Sequence, residues 1–132
     1  MENELADLAL LAWRDDGIWR MIMKKESSIA RSARQPPFTC FARSASRAMG
    51  SWRLEECTLV VTLEPCAMCA GAIMQSRIPR VVFGAWDEKA GAAGSVWDLL
   101  RDPRSLFKVE VISDVLAEEC SSLLTEFFSK QR

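Results

Sequence analysis

TLVVTLEPCAMCAGAIMQSRIPRVVFGA, residues 58–85, is the stretch from which the fold is read. Thr58 to Leu63 is an unbroken run rich in β-branched residues, the composition of a strand buried on both faces. The segment after it starts with Pro65, whose missing N–H costs nothing at the opening of a helix. Arg80 to Ala85 then supplies a second strand of buried character. The order is strand, helix, strand.

Working outward, Lys108 to Ile112 reads as a further strand. Asp114 to Lys130 reads as a long helix with Val115, Leu116, Leu123, Leu124, Phe127 and Phe128 as its apolar set. Upstream, Phe38, Phe41, Ala42, Ala45 and Met49 recur at three- and four-residue steps, and Gly50 follows as a C-terminal cap, so a short amphipathic helix is expected there. Asp16-Gly17 between Leu8–Arg14 and Ile18–Lys24 is a hairpin signal. Residues 24–37, KKESSIARSARQPP, are polar and end in two prolines, which predicts a loop. These elements together predict an α/β fold with a largely buried sheet.

With 132 residues, 49% hydrophobic and 27% charged, the chain can build a single core, and one domain over 1–132 is expected, in which residues 1–45 are irregular and 46–132 sharply patterned. A formal net charge of -1 argues against a strongly basic nucleic-acid binder, although Arg77 with Arg80 and Lys130 with Arg132 are local clusters that could meet phosphates. Acidic residues precede the first apolar run, unlike a signal peptide, and no apolar stretch is long enough to span a bilayer. A cytoplasmic protein with no membrane contact is therefore expected. Five cysteines, two of them only three apart, suit metal or redox chemistry better than a disulfide framework.

Those two, Cys66 and Cys69, stand where a strand gives way to a helix. Sulfurs at a helix start lie near unpaired N–H groups and the positive dipole end, which favours the metal-binding thiolate. By spacing alone the pair could equally be a redox dithiol, half of a structural metal site, or two small apolar residues on a helix face. Cys120, at helical spacing from Leu116, Leu123 and Leu124, is expected in the core, and Cys57 has no evident chemical partner. Trp52, Trp86 and Trp97 could stack on unpaired bases, but packing in a core or interface is the commoner use of tryptophan.

From Thr58 to Ser95 the sequence closely resembles the bacterial tRNA adenosine deaminases of the cytidine-deaminase-like superfamily. The resemblance rests on Glu64-Pro65-Cys66, Met68-Cys69, Ser76-Arg77-Ile78, Arg80 to Gly84, and Lys89 with Gly91 to Ser95. It continues through Leu116-Ala117, Glu119-Cys120, Leu123-Leu124 and Phe127-Phe128, so it runs from about Ser46 to the C-terminus. It implies a three-layer α/β/α sandwich around a mixed sheet and a homodimer. It also implies zinc as cofactor with Cys66 and Cys69 as ligands, Glu64 and Pro65 beside the base pocket, and a tRNA anticodon loop as partner. The implied reaction is hydrolytic deamination of the wobble adenosine to inosine.

Such enzymes hold zinc with one histidine and two cysteines, and a glutamate that is not a ligand shuttles protons. The chain contains no histidine. An ungapped count back from Cys66 puts Pro36-Pro37-Phe38 where the family has its histidine, spacer and glutamate. The glutamate position therefore falls at Phe38 and no catalytic residue is assigned. Cys40 is close enough in sequence to be weighed as a third ligand, but a helix-borne free thiol is its commoner reading. Resemblance is present at Arg14 to Ile18 and resumes at Ser46 with nearly the intact spacing. Residues from about 19 to 45 are thus expected to be translated out of frame, an idea that fails if neither alternative frame there encodes a His-x-Glu. The chain is accordingly read as an impaired or inactive deaminase. Its rivals are a non-catalytic scaffold or partner subunit, and a deaminase of free bases or nucleosides.

Overall fold

A computed structural model describes residues 19–23, 29–31 and 40–130. Strands β1 (Trp19–Met23) and β2 (Ile29–Arg31) precede helix α1 (Cys40–Met49). Strand β3 (Cys57–Leu63), helix α2 (Ala67–Gln75) and strand β4 (Arg80–Ala85) follow, and β5 (Glu110–Ile112) leads to α3 (Ala117–Lys130). The sheet order is β2-β1-β3-β4-β5. β1 pairs antiparallel with both β2 and β3, whereas β3, β4 and β5 run parallel, so the sheet is mixed as expected.

Alternation along the two central strands builds the layers, because successive side chains leave opposite faces. Leu59, Val61, Val81 and Phe83 join Ala42 and Ala45 of α1 and Cys69, Ala70 and Ile73 of α2 in the main core. Val60 and Val82 point the other way, into a smaller cluster with Ile112 and Val115. Gly84 shares that second face, and there the absence of a side chain is required: a Cβ would collide with Cys120 Sγ and lie 2.9 Å from the Val115 carbonyl. Helices on both faces of one sheet give the three-layer α/β/α sandwich.

Several element ends differ from the sequence expectation. Ile29–Arg31, placed in a loop by its polar surroundings, forms the edge strand β2; three residues bonded on one side only leave too short a pattern to read. The expected strand partner Leu8–Arg14 lies outside the described residues. Helix α2 starts at Ala67 with Cys66 in extended conformation as its N-cap, so Pro65 precedes the helix. Positive φ at Asp114 (63°) and Leu116 (53°) interrupts the chain before α3, which starts at Ala117. Gly50, with φ of 65°, follows α1 as the expected cap. After α2, Ile78 N–H donates to the Ile73 carbonyl and Arg77 N–H to that of Met74, a Schellman ending in which Arg77 takes the left-handed position usually given to glycine. Among the described residues no helix is long and apolar enough to cross a membrane.

Candidate active site

The C-terminal end of β3 delivers Glu64, Pro65 and Cys66 in succession, and the first turn of α2 adds Cys69. Ala70 N–H donates to the Cys66 carbonyl at 2.8 Å, which closes the helix and leaves the Cys66 side chain outside the ladder. Cys66 is half-buried and Cys69 is 1% exposed. The two side chains interact. Burial first, then the Cys66 charge and a hydrogen bond to Cys66, push the Cys69 thiol up from 9.0 to about 12, which keeps it protonated at neutral pH. Burial also raises Cys57 and Cys120.

The resemblance implies only a place beside the base pocket for Glu64, whereas in the structure its side chain organises the neighbourhood. It is 2% exposed, and a buried carboxylate is costly unless its oxygens are filled by donors. Oε2 accepts the Asp87 N–H at 3.0 Å, while Oε1 accepts those of Ala93 at 2.9 Å and Ser95 at 3.0 Å. Its own N–H donates to the Ala85 carbonyl at the end of β4. One acidic side chain between an apolar run and Pro-Cys was the sequence signal for this role, since a charge in a buried run needs partners.

The loop it holds, residues 87–95, is closed on itself. Asp87 Oδ1 accepts the N–H groups of Lys89 and Ala90, and Ser95 Oγ donates to the Asp87 carbonyl at 2.8 Å. Ala92 N–H donates to the Pro65 carbonyl at 2.8 Å, and Gly91 forms an antiparallel bridge with Cys66. The loop is therefore anchored at Glu64, Pro65 and Cys66, at the N-terminal side of the cysteine pair.

Beside α3, an open cleft of about 530 Å³ is lined by Ala85, Trp86, Ala117, Glu118, Ser121 and Ser122. The cysteines are not among its lining residues. Trp86 stacks edge-to-face on Phe83 at 4.9 Å, and its indole N–H donates to Asp114 Oδ1 at 2.7 Å, so a ring 38% exposed is held in one orientation. Trp52 and Trp97, expected to pack, are 59% and 61% exposed, and Cys120 is half-buried against Gly84 rather than in the core. Two of the cations weighed as phosphate contacts are engaged: Arg80 pairs with Glu110 at 2.6 Å and Lys130 with Glu126 at 2.5 Å. Arg77 lies over the Phe107 ring.

A mixed sheet whose third strand runs through Pro-Cys into a helix start, with helices on both faces, defines a protein of the deaminase class. The family described as MafB19-like deaminase matches residues 39–132. Over 88 residues the chain is 52% identical to the tRNA-specific adenosine deaminase of Bacillus subtilis, an alignment covering 67% of this chain and 55% of that protein. With the Haemophilus influenzae protein of the same name it is 52% identical over 90 residues, covering 68% and 52% respectively. A solved structure from a study of A-to-I editing by tRNA:A34 deaminases at the wobble position of transfer RNA matches with a TM-score of 0.69 at 31% identity, covering 92% of this chain and 96% of that one. The chain belongs to the MafB19-like deaminase family and is a member of the tRNA adenosine deaminases. It spans about half the length of the curated relatives it matches.

Deaminases of this fold are generally zinc-dependent, and the donor set here can be tested against that requirement. Among the described residues, no group of three His, Cys, Asp or Glu side chains is placed to hold a metal ion. Glu64 is committed to three N–H donors, and the chain has no histidine. Two sulfurs fall short of the three protein ligands that a catalytic zinc keeps. Among the described residues the donor set does not fit the group.

Proposed function

We propose that this chain is a tRNA adenosine deaminase scaffold that recognises an anticodon loop without deaminating it. Hydrolytic conversion of adenosine to inosine requires an activated water and a group that moves protons to the purine. The observation that carries the reading is the donor set: Cys66 and Cys69 keep the sulfur half of a zinc site, while the imidazole is absent and Glu64, two residues before Cys66, is held by backbone donors.

RNA recognition is supported by exposed aromatic faces on which unpaired bases can stack, namely Trp86 and the edge-to-face pair Phe127 and Phe128. Glu64 and Pro65 stand at the strand end where the family places its base pocket. With Arg80 and Lys130 paired to carboxylates, binding rests on stacking more than on phosphate charge, so its salt dependence is shallow. Trp52, Trp97 and Leu106, 59%, 61% and 100% exposed, favour burial against a second copy, a homodimer. Cys57, Cys66 and Cys120 as reduced thiols suit a cytoplasmic setting.

The test incubates the purified chain with an anticodon stem-loop carrying a wobble adenosine. The expected result is binding that weakens little with salt and no inosine above the protein-free control; inosine formation overturns the reading. Metal removal is a second check. With too few donors for tight zinc, EDTA leaves the thermal midpoint unchanged within about 1 °C. Ammonia release from free guanine or cytosine would instead mark a free-base deaminase.

A further inference from the structure

Glu64 lies at the junction of two things the fold must hold together: the strand end that presents Cys66, and the loop whose backbone bridges to it. Its carboxylate is 2% exposed and takes the Asp87 N–H on one oxygen and those of Ala93 and Ser95 on the other. Gly91 sits between, and a Cβ there would collide with Glu64 Oε2 and Ser95 Oγ. The approach of loop to carboxylate thus requires glycine. The same Gly91 bridges to Cys66, and Ala92 bonds the Pro65 carbonyl. Any slackening at Glu64 is therefore passed to the backbone touching Cys66.

The geometry points to Glu64 as the positioning residue of the site, which pins loop 87–95 against Cys66 and so sets access to that sulfur. The carboxylate can do this because it accepts only. A glutamine of the same shape offers one oxygen and one NH2, so in either orientation at least one backbone N–H faces another donor across a buried contact. The consequence is local opening of the loop, with the sheet beneath left intact. The inference deepens the proposed function in taking Cys66 as part of the site. It is read through a thiol, however, so failure to bind RNA would leave it standing, and its own failure would leave RNA binding untouched.

The experiment measures native-state alkylation of Cys66 by iodoacetamide in the full chain, located by mass spectrometry and expressed relative to Cys57. Glu64→Gln is expected to raise the Cys66 rate roughly tenfold, with faster amide exchange at Ala93 and Ser95, the size expected for one buried donor left unmatched. Gly91→Ala keeps the carboxylate but forces the loop away from it, and is expected to raise the same rate. It also serves if Glu64→Gln does not fold. Val109→Ala, a core truncation outside the loop, controls for lost stability and should leave the Cys66 ratio unchanged. An unchanged ratio in the folded loop variants, or an equal rise in Val109→Ala, would overturn the assignment.

Discussion

Residues 57–95 and the described parts of residues 19–49 occupy one sheet and one core, yet they carry the family's pattern to different depths. The first region keeps both letters and geometry, from the strand of β3 through Cys66 and Cys69 to the loop clasped by Glu64. The second keeps the geometry without the letters: β1 still lies antiparallel between β2 and β3, and α1 still puts Ala42 and Ala45 into the core, although the stretch before it holds Pro36-Pro37-Phe38. The difference separates two kinds of constraint. A strand in the middle of a sheet asks for backbone donors and acceptors that nearly every residue has, whereas a metal site asks for particular atoms. Topology can outlast chemistry.

The comparison is broken most directly by stability measurements on each side of it. Phe83 is fully buried in β4 and supports Trp86, so Phe83→Ala is expected to cost about 3–5 kcal/mol in urea unfolding. Met21 lies in β1, which is paired on both sides, with Ala30 and with Leu59. Every N–H of that paired stretch faces a neighbouring strand. Met21→Pro removes one ladder donor and leaves its acceptor unmatched, and should therefore cost about 1–3 kcal/mol. A loss well under about 1 kcal/mol would mean that β1 contributes little and that the geometry of the divergent region is not retained in solution.

What could be read from the sequence follows the same division. β3, α2 and β4 were legible because a β-branched run, a proline and a second apolar run each restrict the backbone locally. The mixed sheet was carried by resemblance, since no local signal tells β5 to run parallel to β4. Ile29–Arg31 was hidden because the strand is three residues long and surrounded by lysines, serines and arginines; it exists through pairing with β1, a long-range fact. The start of α3 was missed because left-handed Asp114 and Leu116 break an otherwise helical apolar spacing. In the site, the positions of Cys66 and Cys69 were legible and the work of the Glu64 side chain was not. Its three partners lie 23 to 31 residues away.

The smallest expected effect bears on the state of the two sulfurs, and its sign decides between a thiol pair and a thiolate cage. In the folded chain Cys69 is raised from 9.0 to about 12, chiefly by burial and secondarily by Cys66, with Cys57 and Cys120 shifted the same way. Between about 9 and about 12 the unfolded chain has released protons that the folded chain still holds. Stability must then fall as pH rises through that window, and the thiol contribution is fully present below it. Urea midpoints taken from pH 7 upward should stay level to about 9 and then decline. Cys69→Ala should flatten part of that decline. Sulfurs bound as thiolates to a metal would behave oppositely, because folding would release protons and stability would rise with pH up to the unfolded thiol value. A rising limb between pH 7 and 9, abolished by Cys69→Ala, would show that this region had found the missing donors elsewhere in the chain, and the contrast between its intact geometry and its incomplete chemistry would fail.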